Sequence, residues 1–464
     1  MAVAVIDIGK TNAKVALVDL ARLVETDVRR LPNDVLADGP YPHFDDARLW
    51  SFVLDSLGEL GRVAAVEAIS ITTHGATAAL VDAGGKLVLP ILDYEFMGPE
   101  TLAAAYDALR PPFAETGTPR LPVGLNLGAQ LYWQRHSFPE AWARVASILM
   151  YPQYWGLKLT GRAVSEATSL GCHTDLWAPH RRTFSPLVER LGWTPLFPPI
   201  ARASDRLGPI LPGIAARTGL PATTPVHVGI HDSNASLLPH LLSRPAPFAV
   251  LSTGTWVVAL AVGGRPVTLD AGRDTLINVN ALGDPVPSAR FMGGRENTIL
   301  AEGLPDATEA DAAQALASGL MVLPAALHGS GPFPDRQGRW VGDGAPGACR
   351  AAVSFYLALM AATCLELIGA DGPTIIEGPF AANAEFARML RAATGRAVVA
   401  EAAGTGTSIG AALLAGGAPR PGGETIADPG PRWAAYAEAW RAAVAQAGIG
   451  SASNTGRRRP SASK

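Results

Sequence analysis

Residues 3–19, VAVIDIGKTNAKVALVD, set a polar turn, Asp7-Ile8-Gly9-Lys10-Thr11-Asn12, between two apolar runs. Two apolar runs joined by a short Gly-containing turn read as a β-hairpin. Gly9-Lys10-Thr11 invites comparison with a P-loop, but that loop needs a glycine five positions before its Gly-Lys pair, and position 4 is alanine. What remains is a tight turn whose backbone N–H groups and hydroxyl side chains form a nest able to hold phosphate oxygens.

At 464 residues the chain exceeds one ordinary core and implies two domains or more. Apolar residues make up 48% and charged residues 17%, enough to fill large cores. A formal charge of −3 disfavours nucleic acid as the main partner, because phosphate backbones are met by basic surfaces. Only the tail TGRRRPSASK is clearly basic, and its composition reads as a disordered terminus. Cys172, Cys349 and Cys364 are far apart and odd in number, so neither a disulfide framework nor a zinc site is indicated. With no leader pattern and no uninterrupted apolar run of about eighteen residues, the expectation is a cytoplasmic protein without a membrane partner.

Strand-like and helix-like segments alternate along the chain, the mark of an α/β protein. DARLWSFVLDSLGELG puts Leu49, Phe52, Val53, Leu57 and Leu60 on one helical face. VEAISITTHG then reads as a buried strand ending in a turn. Residues 100–220 carry Trp, Pro and helix signals without clean strand alternation, and VHVGIHDSNASLLP returns to strand, turn and helix. Residues 248–262, FAVLSTGTWVVALAV, repeat the layout of the opening stretch. Each hairpin opens one half of the chain, with a joint near residue 240. The expected domains are 1–240 and 241–450, followed by a disordered tail, 451–464.

Six segments in order carry a family resemblance. They are the opening stretch, TTHGATAALVDAGGKLV, LKLTGRAVSEATSLGCHTDLW, GIHDSNASLL, LSTGTWVVAL, and the region from IIEGPFAANAEF to GTGTSIGAALLAG. From residue 3 to about 417 the chain resembles the FGGY carbohydrate kinases of the actin-like ATPase superfamily. The resemblance implies two ribonuclease H-like α/β domains with a catalytic cleft between them, ATP and Mg²⁺ as cofactors, and a sugar as phosphoryl acceptor.

It also implies roles for particular residues. Asp232 takes the place of the catalytic base, which suits a sugar hydroxyl of very high pKa, and Asp7 that of the carboxylate near Mg²⁺. Lys10, Thr11, Thr253, Gly254, Thr255 and Gly294 fall at phosphate or ribose positions, and Gly378, Asn383 and Gly404 in the adenosine region. Pro379 stands where the family usually has a second glycine, which removes one backbone donor. His74, Asp93, Tyr94, Glu95 and His231, together with Asp232, are the sugar-side residues. Met97 stands where the family often has Arg. A 6-deoxyketohexose of the L-fuculose or L-rhamnulose type, phosphorylated for sugar catabolism, is the expected substrate, with a ribulose- or xylulose-type ketopentose next.

Two alternatives share the phosphate hairpins: an actin-like ATP-binding switch, and a kinase-fold regulator that binds sugar without turnover. Gly406-Thr407-Ser408-Ile409-Gly410 formally matches a hydrolase nucleophile elbow, but no histidine follows Ser408 to complete a triad. A homodimer is compatible with the sequence. If sugar binds the first half and ATP the second, water exclusion calls for hinge closure. Solution scattering is then expected to give a smaller radius of gyration with sugar plus a non-hydrolysable ATP analogue than without ligands; no compaction at saturation would favour the switch.

Overall fold

The computed structural model describes residues 1–401 and 406–452, with side chains described to residue 447. Gly404 and residues 453–464 of the expected tail lie outside the described residues. Two units emerge. The first holds Met1–Pro245, Leu276–Val286 and Thr405–Pro421; the second holds Ala246–Thr275, Pro287–Gly404 and Gly422–Lys464.

In the first unit the opening stretch forms β1 (Ala2–Ile8) and β2 (Asn12–Asp19), antiparallel, followed by β3 (Val24–Pro32) against β2. Helix α1 (Asp46–Val63) then leads to β4 (Ala68–Thr73), which lies parallel to β1. Asp45 caps α1 by accepting from the Arg48 backbone N–H, and Leu49, Val53, Leu57 and Leu60 are buried as their spacing requires. Strands β5 (Arg206–Pro209) and β6 (Pro225–His227) complete the order β5–β6–β4–β1–β2–β3, while the short β7 (Ile230–His231) also pairs with β4. Period-two alternation divides β1 between two cores. Ala4, Ile6 and Ile8 pack on one face of the sheet and Val3 and Val5 on the other. Between β4 and β5 short helices and strands gather around Tyr106, Trp133, Trp177 and Trp193.

Helix α2 (Asp232–Ser243) closes this part, and the second unit begins with β8 (Phe248–Thr253) and β9 (Val257–Val262). β10 (Pro285–Phe291) runs antiparallel to β9; helices α3 (Gly293–Leu300) and α4 (Pro346–Leu367) precede β11 (Thr374–Glu377), parallel to β8. Helix α5 (Ala384–Thr394) and strand β12 (Val398–Glu401), parallel to β11, follow. The order β10–β9–β8–β11–β12 repeats β3–β2–β1–β4–β6, so the two halves share an architecture without sharing letters. Helix α4 is long and apolar enough to cross a membrane by length and composition, yet 83% of its apolar window is buried in the second unit's core.

Two chain segments return to the first unit, which the sequence reading does not anticipate. One of them carries α6 (Gly406–Ala412), which packs on α2. Ser70 in β4 donates to the Ala411 carbonyl at 2.7 Å. A Cβ at Gly410 would lie 1.8 Å from the Ala235 carbonyl oxygen, so the two helices touch backbone to backbone. Strand β13 (Glu424–Thr425) and helix α7 (Pro431–Ala452) then finish the second unit. Gly410→Ala forces these backbones apart and is expected to destabilise the first unit by about 1–3 kcal/mol, the usual range for overpacking. Urea denaturation reads this as a lower midpoint for that unit; an unchanged midpoint would contradict the close approach.

Candidate functional site

Three parallel strands of the first unit end together. Ile8 of β1 and His231 of β7 both pair with Thr73 of β4. The next residues, Gly9, His74 and Asp232, therefore emerge side by side at carboxyl ends, where α/β sheets bind ligands. Gly75 has to be glycine here, because a Cβ would come within 2.7 Å of His231 Nε2. Ala76, next along, sits at φ +51°, the left-handed region that non-glycine residues rarely occupy.

Asp232 is the first residue of α2, where the helix dipole favours negative charge. Its Oδ1 accepts from the Ser233 backbone N–H at 2.6 Å and lies 3.4 Å from His231 Nε2. Its side chain keeps 34% of its surface open, so a substrate can reach it. Its surroundings still withdraw enough water to raise its pKa, with His74 pulling the other way.

Both histidines are buried, and burial lowers each pKa to about 4, so both are neutral near pH 7. His74 Nδ1 lies 2.9 Å from the Gly75 carbonyl. A carbonyl only accepts, so Nδ1 carries the proton and Nε2 is an acceptor. That Nε2, like Nδ1 of His231, is buried without a hydrogen-bond partner. Phe44, Tyr94 and Tyr151 surround the His74 ring at centroid distances of 5.2–5.6 Å.

Lys10, expected at a phosphate position, has its contacts in this structure with residues 93–95. Its ammonium lies 2.5 Å from Asp93 Oδ1 and 3.4 Å from Glu95 Oε2, over the rings of Phe44 and Tyr94. Two carboxylates and two aromatic faces outcompete solvent for this cation, so it sits among the sugar-side residues. Thr11 is exposed at the turn.

The lysine beside Asp7 is Lys14, 3.4 Å from Asp7 Oδ2 and 2.8 Å from Glu25. Sequence reasoning missed it, although the hairpin register pairs residues 7 and 14 directly. It also missed Ser408, which donates to Asp7 Oδ2 at 3.4 Å, and Thr168, whose Oγ1 accepts from the His231 N–H. Thr168 is held in turn by the buried Glu166. Asp7 is raised to about 6, chiefly by burial and against the pull of Lys14, with Asp232 adding repulsion. A nearby cation such as Mg²⁺ would offset the cost of ionising this buried carboxylate, so the position fits a Mg²⁺ ligand. Among the described residues no cluster of three or more metal-ligating side chains exists.

In the second unit the phosphate-side residues converge on the β8–β9 turn. Gly254 and Thr255 are exposed, and Gly294 N–H donates to the Thr255 carbonyl. A Cβ at Gly294 would meet the Gly254 oxygen at 2.1 Å, and one at Gly378 the Thr253 oxygen at 2.1 Å. The hydroxyl of Thr253 is already engaged, donating to the Glu377 carbonyl and accepting from the Phe380 N–H. Asn383 likewise caps α5 by accepting from the Phe386 N–H, and donates to Ser354. Both side chains are thus engaged within the fold, Thr253 behind the turn and Asn383 at the start of α5.

The profile described as FGGY family of carbohydrate kinases, N-terminal domain, matches residues 2–239. The profile described as carbohydrate kinase FGGY, C-terminal domain, matches residues 245–423. An L-fuculokinase of Salmonella typhi is 29% identical over 271 residues, 56% of each chain. A rhamnulokinase of Enterococcus faecalis is 25% identical over 262 residues, 54% of this chain and 51% of that protein. The chain thus aligns with about half the length of these curated relatives. A carbohydrate kinase structure from Novosphingobium aromaticivorans is 39% identical with a TM-score of 0.89, covering 96% of this chain and 99% of that one.

The raised pKa of Asp7 has a consequence for stability. The folded state binds the proton more tightly than the unfolded state, so the cost is absent below about pH 3.8, grows through the interval, and is complete above about pH 6. Asp7→Asn removes that cost, about 3 kcal/mol at most from the shift. Its melting temperature is expected to exceed wild type at pH 7.5 and to lose the advantage at pH 4. A lower value at pH 7.5 would make the carboxylate a structural ion pair.

Proposed function

The chain belongs to the FGGY family of carbohydrate kinases, and from that premise we propose that it transfers the γ-phosphoryl group of ATP to a hydroxyl of a ketose in the cytoplasm. The observation that carries this reading is the reachable Asp232 carboxylate beside two buried, unpartnered imidazole nitrogens. His74 Nε2 is an acceptor suited to a sugar hydroxyl, and His231 Nδ1 offers a second contact. Lys10 with Asp93, and Glu95 and Tyr94 nearby, supply further hydroxyl partners. As the attacking oxygen bonds to phosphorus, its proton passes to Asp232 and ADP leaves with the electron pair of the broken P–O bond. Position and charge stabilisation carry such a transfer, since little covalent chemistry is left to the protein.

On the nucleotide side, the exposed turn of Gly254 and Thr255, backed by Gly294 and Gly378, is suited to phosphate oxygens through backbone N–H groups. Thr11 offers a hydroxyl at the first hairpin. Asp7, with Lys14 and Ser408 beside it, would hold Mg²⁺, which when bound neutralises charge on the phosphates.

A 6-deoxyketohexose of the L-fuculose or L-rhamnulose type fits this reading best, with a ketopentose next. The half-buried ring of Tyr94, beside His74, offers an apolar edge to a methyl group where a hydroxymethyl would need a polar partner. Two relatives bear the names L-fuculokinase and rhamnulokinase. One methyl in such a pocket is worth roughly 10- to 200-fold in kcat/KM. A ketose panel with ATP is expected to show that preference over the 6-hydroxy analogue; ATP turnover indifferent to every ketose would contradict sugar phosphorylation. Asp232→Asn keeps size and hydrogen bonding but not basicity. Turnover is expected to fall about 10²-fold or more while calorimetry shows sugar affinity little changed, and near-normal turnover would remove Asp232 from the base role.

A further inference from the structure

The second unit contains a cavity of about 360 Å³ lined by Arg265, Arg396, Arg441, Glu366 and Thr394, among others. Its place follows from strand register. Arg265 comes just after Val262, which pairs with Phe248 at the start of β8. Arg396 comes just before Val398, which pairs with Thr374 at the start of β11. The Gly254–Thr255 turn lies at the other end of β8, so these arginines do not serve the nucleotide phosphates there.

The three guanidiniums differ in their partners. Arg441 pairs with Glu438 and donates to the Ala393 carbonyl at 2.5 Å, closing the end of α5. Arg396 has a buried Nη1 without any hydrogen-bond partner, and neither its side chain nor that of Arg265 has an ion pair among the described residues. Burial holds the pKa of Arg396 below its ordinary value; Asp371 offsets part of this and the like charge of Arg265 adds to it. Glu366 contributes a carboxylate to the wall but bonds to neither arginine. The like charges of Arg265 and Arg396 repel each other across one cavity, and the buried Arg396 donor is left unsatisfied, which costs stability unless an anion binds.

We propose that this cavity is a second anion site, separate from the kinase centre, that takes a phosphoryl group, either free or as part of a small ester. Two guanidiniums without ion pairs match a dianionic tetrahedral group better than a monocarboxylate. The guanidinium fork is suited to two parallel N–H···O bonds with phosphate oxygens. The inference does not depend on which sugar is phosphorylated, or on turnover at all.

The test uses the full chain with its nucleotide site filled by Mg²⁺ and a non-hydrolysable ATP analogue, at constant ionic strength. Inorganic phosphate, glycerol 3-phosphate and acetate are titrated by calorimetry and thermal shift, which rises with occupancy of the folded state. Phosphate is expected to bind and raise the melting temperature. Arg396→Gln and Arg265→Gln are each expected to weaken phosphate binding at least tenfold. Arg265 is exposed, so its variant should fold normally, and in phosphate-free buffer it is expected to melt no lower than wild type because the repulsion is relieved. Response to both phosphate and the ester assigns the bare phosphoryl group, and response to the ester alone assigns an ester. An unchanged phosphate response in both variants, an equal response to acetate, no response in wild type, or a lower ligand-free melting temperature for Arg265→Gln would overturn the proposal.

Discussion

Thr73 pairs with Ile8 on one side and His231 on the other, and from this register the candidate site follows. A strand slipped by one residue turns every side chain to the opposite face. Such a slip would send Ile6 and Ile8 away from the core that fixes β1, so hydrophobic burial holds the register. The register in turn sets the positions of Gly9, His74 and Asp232. Thr168 adds a second hold on the same place, because it accepts the His231 N–H from the residue just before Asp232.

The groups gathered there are not at their electrostatic ease. Asp7 and Asp232 are both raised by burial, both histidines are held neutral, and two ring nitrogens are buried without partners. A protein selected for stability alone would fill such positions with apolar side chains. Sites kept ready for a ligand commonly carry this kind of destabilisation. Asp175 in the same unit is also raised by burial, but Arg110 and Tyr106 bind it. At the strand ends the unpartnered ring nitrogens lie beside a carboxylate that a substrate can reach.

The two hairpins, the helix at residues 46–63 and the strand before His74 were legible because apolar periodicity reports backbone geometry directly. The duplicated strand order was legible in outline, since both halves open with the same apolar–turn–apolar pattern. Side-chain destinations were not. Lys10 follows a glycine in a phosphate-like motif, yet its long side chain reaches Asp93, a partner 83 residues away that no local pattern announces. Asn383 and Thr253 read as ligand contacts by position; that each also serves inside the fold, as a helix cap and a turn hydroxyl, no local pattern announces. The return of the segment carrying α6 depends on a close contact between Gly410 and Ala235, which only the folded chain brings together. Lys14 was within reach, because the hairpin register alone places it opposite Asp7.

The proposed sugar site rests on two buried imidazoles held neutral beside the Asp232 carboxylate. Nuclear magnetic resonance of ring-labelled His74 and His231, assigned with single-histidine variants, tests it most directly. Both rings are expected to remain neutral from pH 8 down to about pH 5, with His74 protonated on Nδ1, and both should shift when a ketose that the enzyme phosphorylates is added without nucleotide. Rings that titrate near the ordinary histidine pKa of 6.5, or that stay unmoved by such a ketose, would contradict the account.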